Sequence, residues 1–325
     1  MIKFATIGTS NICNSFIERT VLTNRFILSA IYSRKYETGL NFGKKHNCER
    51  VFTSLEEMAK CEDIDAVYIA SPNSLHYEQS RLMLENKKHV ICEKPIGCCL
   101  EEYEQLKALA DEKGLIYMEA IIPVHCEYSA KVREAVTQIG DIVSARINFF
   151  QRSSRWDAFA RGEQVNIFDM SLKAGALNDI GVYCVYAALD LLGEPEKITA
   201  FKKTAYNGAD VSGCAVFEYD GFLALLNYGK NGQSFAESEI IGTDGTLKIS
   251  AVSQYAGVTL IKNNEKQQIS LFPTKAQLMS YEASAFADYI EGRKSLVDYE
   301  EASNLCKKVH KTMDEIKLSA NLKYF

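Results

Sequence analysis

The first third of the chain alternates short apolar runs with amphipathic stretches, and this rhythm constrains the fold more than any other feature. The runs are apolar along their whole length, which is typical of strands covered on both faces by helices. Such a series predicts an α/β domain with a doubly wound parallel sheet. Six runs contribute strands, at 2–7, 26–32, 50–52, 64–70, 89–92 and 115–119.

The rhythm changes after residue 121. One strand is predicted over 142–150, and seven more follow in succession between 198 and 271. Turn signals such as Asp220-Gly221 and Asp244-Gly245 separate them, which predicts a large, mostly antiparallel sheet. Helices are predicted over 176–192, 276–291 and 300–319. We therefore expect a Rossmann domain over 1–121 and an α+β domain over 122–325, a division that suits a chain of 325 residues.

Composition excludes several other classes of protein. The formal net charge is -5, and the chain has no long basic run, so a nucleic-acid partner is not expected. The ten cysteines are irregularly spaced without a C-x-x-C pair, which argues against a disulfide framework and against a metal site. No signal peptide precedes the first strand, and no run of eighteen apolar residues occurs. We expect a cytoplasmic protein without a membrane partner.

The turn after the first strand resembles a dinucleotide fingerprint. It reads Gly8-Thr9-Ser10-Asn11-Ile12-Cys13, so only the first glycine of G-x-G-x-x-G remains. Ser10 and Cys13 are small enough for close approach of a pyrophosphate and for helix packing, and a helix N-terminus attracts phosphate. A strand–turn–helix of this kind is also common as plain structure. Its place at the start of the α/β series favours a cofactor site.

The end of the second strand, Ser33-Arg34-Lys35, bears on the choice of cofactor. NAD sites usually place a carboxylate there, whereas Arg suits the 2′-phosphate of NADP. The alternative is a solvated pair of loop charges. We predict that NADP(H) is preferred and that NAD(H) is possible.

Two further segments carry candidate chemistry. Glu93-Lys94-Pro95 follows the fifth strand, where a lysine can stabilise negative charge on a substrate oxygen, although such a tripeptide is also typical of surface turns. Asp179 and Tyr183 are four residues apart in a predicted helix and so share one face. A tyrosine can donate a proton there, or it can simply be a packed aromatic.

These segments together resemble the Gfo/Idh/MocA oxidoreductase family. The resemblance rests on GTSNIC at 8–13, SPNSLH at 71–76, EKP at 93–95 and GALNDIGVY at 175–183, and it covers nearly the whole chain. It implies that Lys94 is catalytic. Tyr183 stands where many members have His, which is similar to the dihydrodiol dehydrogenase and glucose–fructose oxidoreductase branch, where the tyrosine is the acid/base. The family also implies a homodimer or higher oligomer through the C-terminal sheet.

The resulting hypothesis is a hydride transfer between NADPH and the carbonyl of a sugar-like or diol-derived substrate. Tyr183 would give a proton to the alkoxide, Lys94 would hydrogen-bond the same oxygen, and Asp179 would anchor a substrate hydroxyl or orient Lys94. The expected cofactor-binding residues are Gly8, Thr9, Ser10, Asn11, Ile12, Ser33, Arg34, Ser71, Pro72, Asn73, His76, Glu93 and Lys94. Trp156 is expected to join Lys94, Asp179 and Tyr183 at the substrate. His76 is expected to be structural or near the cofactor rather than catalytic.

Two rival functions remain. The first is an NAD-dependent polyol or inositol dehydrogenase, which the absence of His at 183 and of a carboxylate at 33–35 disfavours. The second is a non-catalytic regulator that senses NAD(P). Such a regulator has no need of Lys94 and Tyr183 together.

Overall fold

The structure is a computed structural model, and it describes residues 1–274 and 277–324. The strands are β1 (Ile2–Ile7), β2 (Phe26–Tyr32), β3 (Val51–Phe52), β4 (Ala66–Ile69), β5 (His89–Glu93), β6 (Tyr117–Ala120), β7 (Ile142–Phe150), β8 (Lys197–Thr204), β9 (Asp210–Tyr219), β10 (Phe222–Gly229), β11 (Ser238–Gly242), β12 (Thr246–Ala251), β13 (Ala256–Lys262) and β14 (Glu265–Gln268). The α-helices are α1 (Asn11–Leu22), α2 (Tyr36–Lys44), α3 (Leu55–Ala59), α4 (His76–Glu85), α5 (Leu100–Glu112), α6 (Ile122–His125), α7 (Ser129–Thr137), α8 (Trp156–Ala160), α9 (Val182–Leu192), α10 (Ser280–Ile290) and α11 (Leu296–Ser319).

The first of two compact units is built on a parallel sheet. Its six strands lie in the order β3-β2-β1-β4-β5-β6, and every neighbouring pair is parallel. All four residues of β4 are buried, as expected for a strand covered on both faces. The predicted doubly wound sheet is confirmed. The strand order reverses between β1 and β4, and such a switch point is where open α/β sheets bind ligands.

Aromatic packing fixes α1 over this sheet. Phe16 of α1 stacks on Tyr68 of β4 with ring centroids 3.7 Å apart, and its edge meets Phe4 of β1 at 6.2 Å. All three rings are buried. Because α1 begins directly after β1, this packing also fixes the turn that joins them.

A late segment of the chain completes the same core. The first unit comprises Met1–Ile122 together with Thr274–Ser303, whereas the sequence predicts one uninterrupted second domain over 122–325. The reason is the apolar face of α10, from which Ala283 and Phe286 are buried in the core of the first unit. Phe286 stacks on Phe26 of β2 at 6.5 Å. The helix predicted over 276–291 begins at Ala276, which lies outside the described residues.

The second unit, residues 123–273 and 304–324, is built on an eight-stranded sheet. The order is β14-β13-β12-β11-β7-β10-β9-β8, and among the described pairs of this second sheet only β7–β10 is parallel. The predicted mostly antiparallel sheet is confirmed. One face packs against α9, and the outer sheet face carries Phe201, Val216, Leu223 and Leu225, of which Phe201 is 61% and Leu223 54% exposed.

The stretch Met170–Leu192 is long and apolar enough, by length and composition, to cross a membrane. It is broken by local 3₁₀ and π turns, and 78% of its most apolar window is buried inside the protein. The core helix of a soluble protein shows the same pattern, so this stretch is weak evidence for a membrane span.

Candidate active site

The turn between β1 and α1 has the geometry of a phosphate cradle. Gly8 has φ of 123°, and a Cβ at this position would lie 2.8 Å from the Ala70 carbonyl oxygen, so glycine is required. Ser10 is the N-cap of α1, and its Oγ accepts a hydrogen bond of 3.5 Å from the Cys13 amide. A twelve-residue helix thus begins at this turn with amide groups directed towards its N-terminus. The residues fit the pyrophosphate of a dinucleotide.

The remaining residues of the turn are open to solvent to different degrees. Thr9 is partly exposed, Asn11 is exposed, and the Ile12 side chain keeps 42% of its surface open. Cys13 is fully buried, and burial raises the pKa of its thiol to about 12, so it serves as a small packing group. The substitution of cysteine for the last fingerprint glycine is therefore compatible with close packing of α1.

At the end of β2, Ser33 and Arg34 differ in their exposure to solvent. Ser33 is buried, its amide donates to the Phe52 carbonyl at 3.1 Å, and its Oγ accepts from the Lys35 amide at 3.3 Å. Arg34 is exposed. Lys35 is exposed as well, so both cations of this segment are open to a ligand phosphate from solvent.

His76 links the loops that follow β4 and β5. Its Nδ1 lies 2.8 Å from the Pro95 carbonyl oxygen and its Nε2 lies 2.9 Å from the Ser71 carbonyl oxygen. The ring is 1% exposed, and burial lowers its pKa although the two carbonyls favour the protonated ring. A second link runs from the Cys98 thiol to the Asn73 carbonyl at 3.4 Å. These contacts join the predicted segments 71–73 and 93–95, and the His76 ring makes its two contacts with backbone carbonyl oxygens.

Glu93 and Lys94 differ in their surroundings. The Tyr68 hydroxyl donates to Glu93 Oε1 at 2.6 Å, so this carboxyl is directed into the unit. Burial raises the pKa of Glu93, while the Lys94 ammonium and the Tyr68 hydrogen bond act in the opposite direction. Lys94 is partly exposed, and the Lys94–Pro95 peptide bond is cis.

In the second unit, Asp179 and Tyr183 lie four residues apart where a π-helical turn, Leu177–Gly181, runs into α9. Tyr183 is partly exposed and meets the Phe149 ring edge-to-face at 5.7 Å. Asp179 Oδ2 lies 2.5 Å from the Nζ of Lys230, and the Asp179 side chain is 40% exposed. The predicted helix over 176–192 is present, with the π turn at its start.

Trp156 belongs to an aromatic cluster beside this pair. Its ring contacts Phe159 at 5.8 Å and Phe168 at 5.7 Å. The Nζ of Lys230 lies 5.0 Å from the centre of the Phe168 ring. Trp156 and Asp179, both predicted to contact substrate, are therefore connected through Phe168 and Lys230. Sequence patterns did not single out Phe168 or Lys230. A lysine directly after an apolar strand cannot be told from a surface cation by sequence alone.

The predicted residues thus form two groups. The first unit brings together the turn at 8–13, Ser33-Arg34, the segment 71–76 and Glu93-Lys94. In the second unit, Lys230 contacts Asp179 and Phe168, Trp156 packs on Phe168, and Tyr183 lies four residues after Asp179. The roles assigned to these residues stay predictions.

Two family models match the chain. The first, described as an oxidoreductase family with an NAD-binding Rossmann fold, matches residues 2–121. The second, described as a GFO/IDH/MocA C-terminal domain, matches residues 129–248.

Relatives among known proteins include dehydrogenases and a ketoreductase. A scyllo-inositol 2-dehydrogenase (NADP(+)) of Bacillus subtilis is 37% identical, with 90% of each chain covered. A trans-1,2-dihydrobenzene-1,2-diol dehydrogenase of Xenopus tropicalis is 29% identical, with 78% of each chain covered. A solved 3-ketoreductase from Actinomadura kijaniata in complex with TDP-benzene and NADP is 25% identical, with a TM-score of 0.80 and 98% of each chain covered.

Proposed function

Because the chain belongs to the Gfo/Idh/MocA family of NAD(P)-binding oxidoreductases, we propose that it interconverts a secondary alcohol and a ketone on a cyclic polyol or sugar-like substrate, with NADP(H) preferred. The observation that carries the substrate class is the 37% identity, over 90% of the chain, to an NADP-dependent scyllo-inositol dehydrogenase. Dehydrogenases of diols are also among the relatives.

The first unit supplies the groups that would hold the dinucleotide. The Gly8 turn and the α1 amides would bind the pyrophosphate, and Arg34 would pair with a 2′-phosphate. The partly exposed Thr9 and the exposed Asn11 and Ile12 would border the same cofactor. The segments 71–73 and 93–95, joined by His76, would border it at the ends of β4 and β5. When bound, the nicotinamide donates or accepts the hydride.

Proton transfer is assigned to the phenol of Tyr183. In reduction, Tyr183 Oη gives its proton to the substrate oxygen, and in oxidation it takes that proton back. Lys94 donates a hydrogen bond to the substrate oxygen and stabilises the negative charge that develops on it. Acid–base help of this kind is worth about 10²- to 10⁴-fold in rate.

Assembly and location complete the proposal. The outer sheet face of the second unit exposes Phe201, Leu223 and Leu225 beside the ion pairs Arg146–Glu239 and Lys197–Glu218. These exposed apolar side chains support a homodimer or higher oligomer through that sheet. All ten cysteines are free thiols, which supports a cytoplasmic location.

A cofactor and substrate panel tests the proposal. Purified enzyme is assayed with NADP+ and with NAD+ against scyllo-inositol, levoglucosan and trans-1,2-dihydrobenzene-1,2-diol. We expect turnover of at least one cyclic polyol and a lower KM for NADP+. Tyr183→Phe and Lys94→Met should each lower kcat by at least about 100-fold while NADP+ affinity changes little.

Tyr219→Phe is the matched control, since Tyr219 ends β9 and its hydroxyl, among its described hydrogen bonds, donates only to the Gly193 carbonyl at 3.1 Å. It should keep full activity. Tenfold tighter binding of NAD+ than of NADP+ would refute the cofactor preference. NADP+ binding without turnover of any panel member would favour the sensor alternative. An unimpaired Tyr183→Phe enzyme would remove that residue from the mechanism.

A further inference from the structure

Lys230 holds a cationic side chain inside the second unit. It directly follows β10, and its backbone is fixed on both sides, because its amide donates to Val211 O at 2.8 Å and its carbonyl accepts from the Ser153 amide at 2.9 Å. The residue is only 3% exposed. An ammonium taken this far out of water is tolerated only when partners compensate for its lost hydration.

Partners of several kinds lie around the ammonium among the described residues. It donates to Asp179 Oδ2 at 2.5 Å and to the Ile167 carbonyl oxygen at 3.2 Å, and it lies 5.0 Å from the centre of the Phe168 ring. A carboxylate, a carbonyl dipole and an aromatic face each attract an ammonium. The Lys230 side chain is therefore held in place, and it fixes the Asp179 carboxylate.

The pair is asymmetric in its exposure to solvent. The Lys230 side chain is 3% exposed, whereas the Asp179 side chain is 40% exposed. The Lys230 ammonium contacts Oδ2 of this carboxylate. The buried Lys230 ammonium thus orients the Asp179 carboxylate, which is open to solvent. Asp179 lies four residues before Tyr183 in the chain.

We propose that Lys230 is a positioning and specificity-determining residue, which holds Asp179 as a hydrogen-bond acceptor for a hydroxyl of a polyol substrate next to the reacting carbon. The inference rests on the proposed function, because it takes Tyr183 as the group at the reacting oxygen. Asp179 then anchors a substrate hydroxyl, which is one of the two roles predicted for it. An oriented acceptor selects strongly for the hydroxyl, because a substrate without it leaves the carboxylate poorly paired.

The test compares scyllo-inositol with a monodeoxy-inositol as substrates of the NADP-loaded enzyme. Lys230→Met removes the charge and keeps the length of the side chain. We expect it to raise the KM for scyllo-inositol at least tenfold, to change kcat/KM for the deoxy compound less than threefold, and to leave NADP+ affinity unchanged. Lys230→Arg should retain most of the preference for the hydroxylated substrate.

Two controls separate positioning from general stability. Lys197→Met removes a lysine that pairs with Glu218 at 2.9 Å but is 67% exposed, and it should behave as wild type. Lys230→Gln keeps a donor for Asp179 and Ile167 without the charge. If the methionine variant does not fold, the glutamine variant is expected to show the same loss of preference to a smaller degree.

Calorimetric binding of both polyols distinguishes this inference from the proposed function. A wild-type enzyme that turns over scyllo-inositol, with Lys230 variants that keep full discrimination, overturns the inference alone. An equal loss for both substrates also overturns it, since that result indicates a purely structural role. A wild-type protein that neither turns over nor binds any polyol of the panel overturns both.

Discussion

Glu282 is 1% exposed on α10, and its Oε2 has no hydrogen-bond partner within the described residues. Burial raises the pKa of this carboxyl well above its usual range, and the charge of Glu93 raises it further. Glu93 is different, because the Tyr68 hydroxyl and the Lys94 ammonium both stabilise its ionised form. Burial raises the pKa of both carboxyls, but only Glu93 has partners that offset it, so the fold favours the protonated form of Glu282 more strongly than that of Glu93.

This assignment predicts the pH dependence of stability. The folded pKa of Glu282 lies above its unfolded value of about 4.3, so the folded state binds the extra proton and its stability falls as pH rises above that value. Glu282→Gln removes this titration. We expect the variant to melt higher than wild type at pH 8, by roughly 2–4 °C if about 1 kcal/mol is recovered, and the difference to shrink towards pH 5.

Thermal melts from pH 5 to pH 8 provide the measurement. Glu301→Gln, at an exposed position of α11, should follow the wild-type curve. A Glu282→Gln variant that is less stable than wild type at pH 8 would show that the carboxyl is ionised and paired.

Residue-level chemistry was only partly predictable from sequence. The positions of Gly8, Lys94 and Asp179 follow from motifs that end strands or begin helices. Lys230 and Glu282 could not be found in this way, because their burial depends on segments distant in sequence. A charged residue type suggests exposure, and only tertiary packing reverses that expectation.

At the scale of elements, the β1–α1 turn depends on the backbone of one residue. Gly8→Ala would force a side chain to a φ that L residues avoid and to within 2.8 Å of the Ala70 carbonyl. We expect the turn to shift, NADP+ affinity to fall at least about tenfold, and stability to fall by more than the 1–2 kcal/mol of left-handed strain alone.

Gly114→Ala is the matched control for this prediction. Gly114 has φ of 65°, and an added Cβ there meets no described atom within 4 Å, so it carries the conformational cost without the collision. Fluorescence titration with NADPH and thermal melts of both variants check the prediction. Equal NADPH affinities in the two variants would contradict it.

Hydrophobic periodicity predicted most elements. Continuous apolar runs gave the parallel strands, and β7 and α4 lie where the pattern predicts them. A strand at the exposed edge of a sheet is harder to predict. The last strand is predicted over 267–271, whereas β14 lies at Glu265–Gln268. All four of its residues are exposed, so hydrophobicity carries no signal there. The π turn at Leu177–Gly181 also has no signature in a helical apolar pattern.

At the scale of the whole molecule, the outer sheet face predicts self-association. Leu223 and Leu225 of β10 are 54% and 41% exposed, and their burial in an interface would stabilise it by about 1.5–3 kcal/mol per side chain at most. We expect the double variant Leu223→Lys, Leu225→Lys to weaken dimerisation at least about 100-fold. Sedimentation equilibrium of wild type and variant measures this change.

Leu271→Lys serves as the comparison, since Leu271 is 63% exposed but lies outside that face. It should dimerise as wild type does. A wild-type protein that is monomeric at micromolar concentration, or a double variant that dimerises unchanged, would refute the proposed interface.

The placement of α10 in the first unit has a consequence for how the protein is made. On the ribosome, the six parallel strands emerge within the first 120 residues, but Ala283 and Phe286, which close their core, are synthesised much later. At about 5–20 residues per second, the nascent Rossmann sheet waits on the order of ten seconds with part of its apolar surface uncovered. A fragment that ends at residue 122 would keep that surface exposed permanently, so expression of the nucleotide-binding half requires the segment around α10 to be supplied with it.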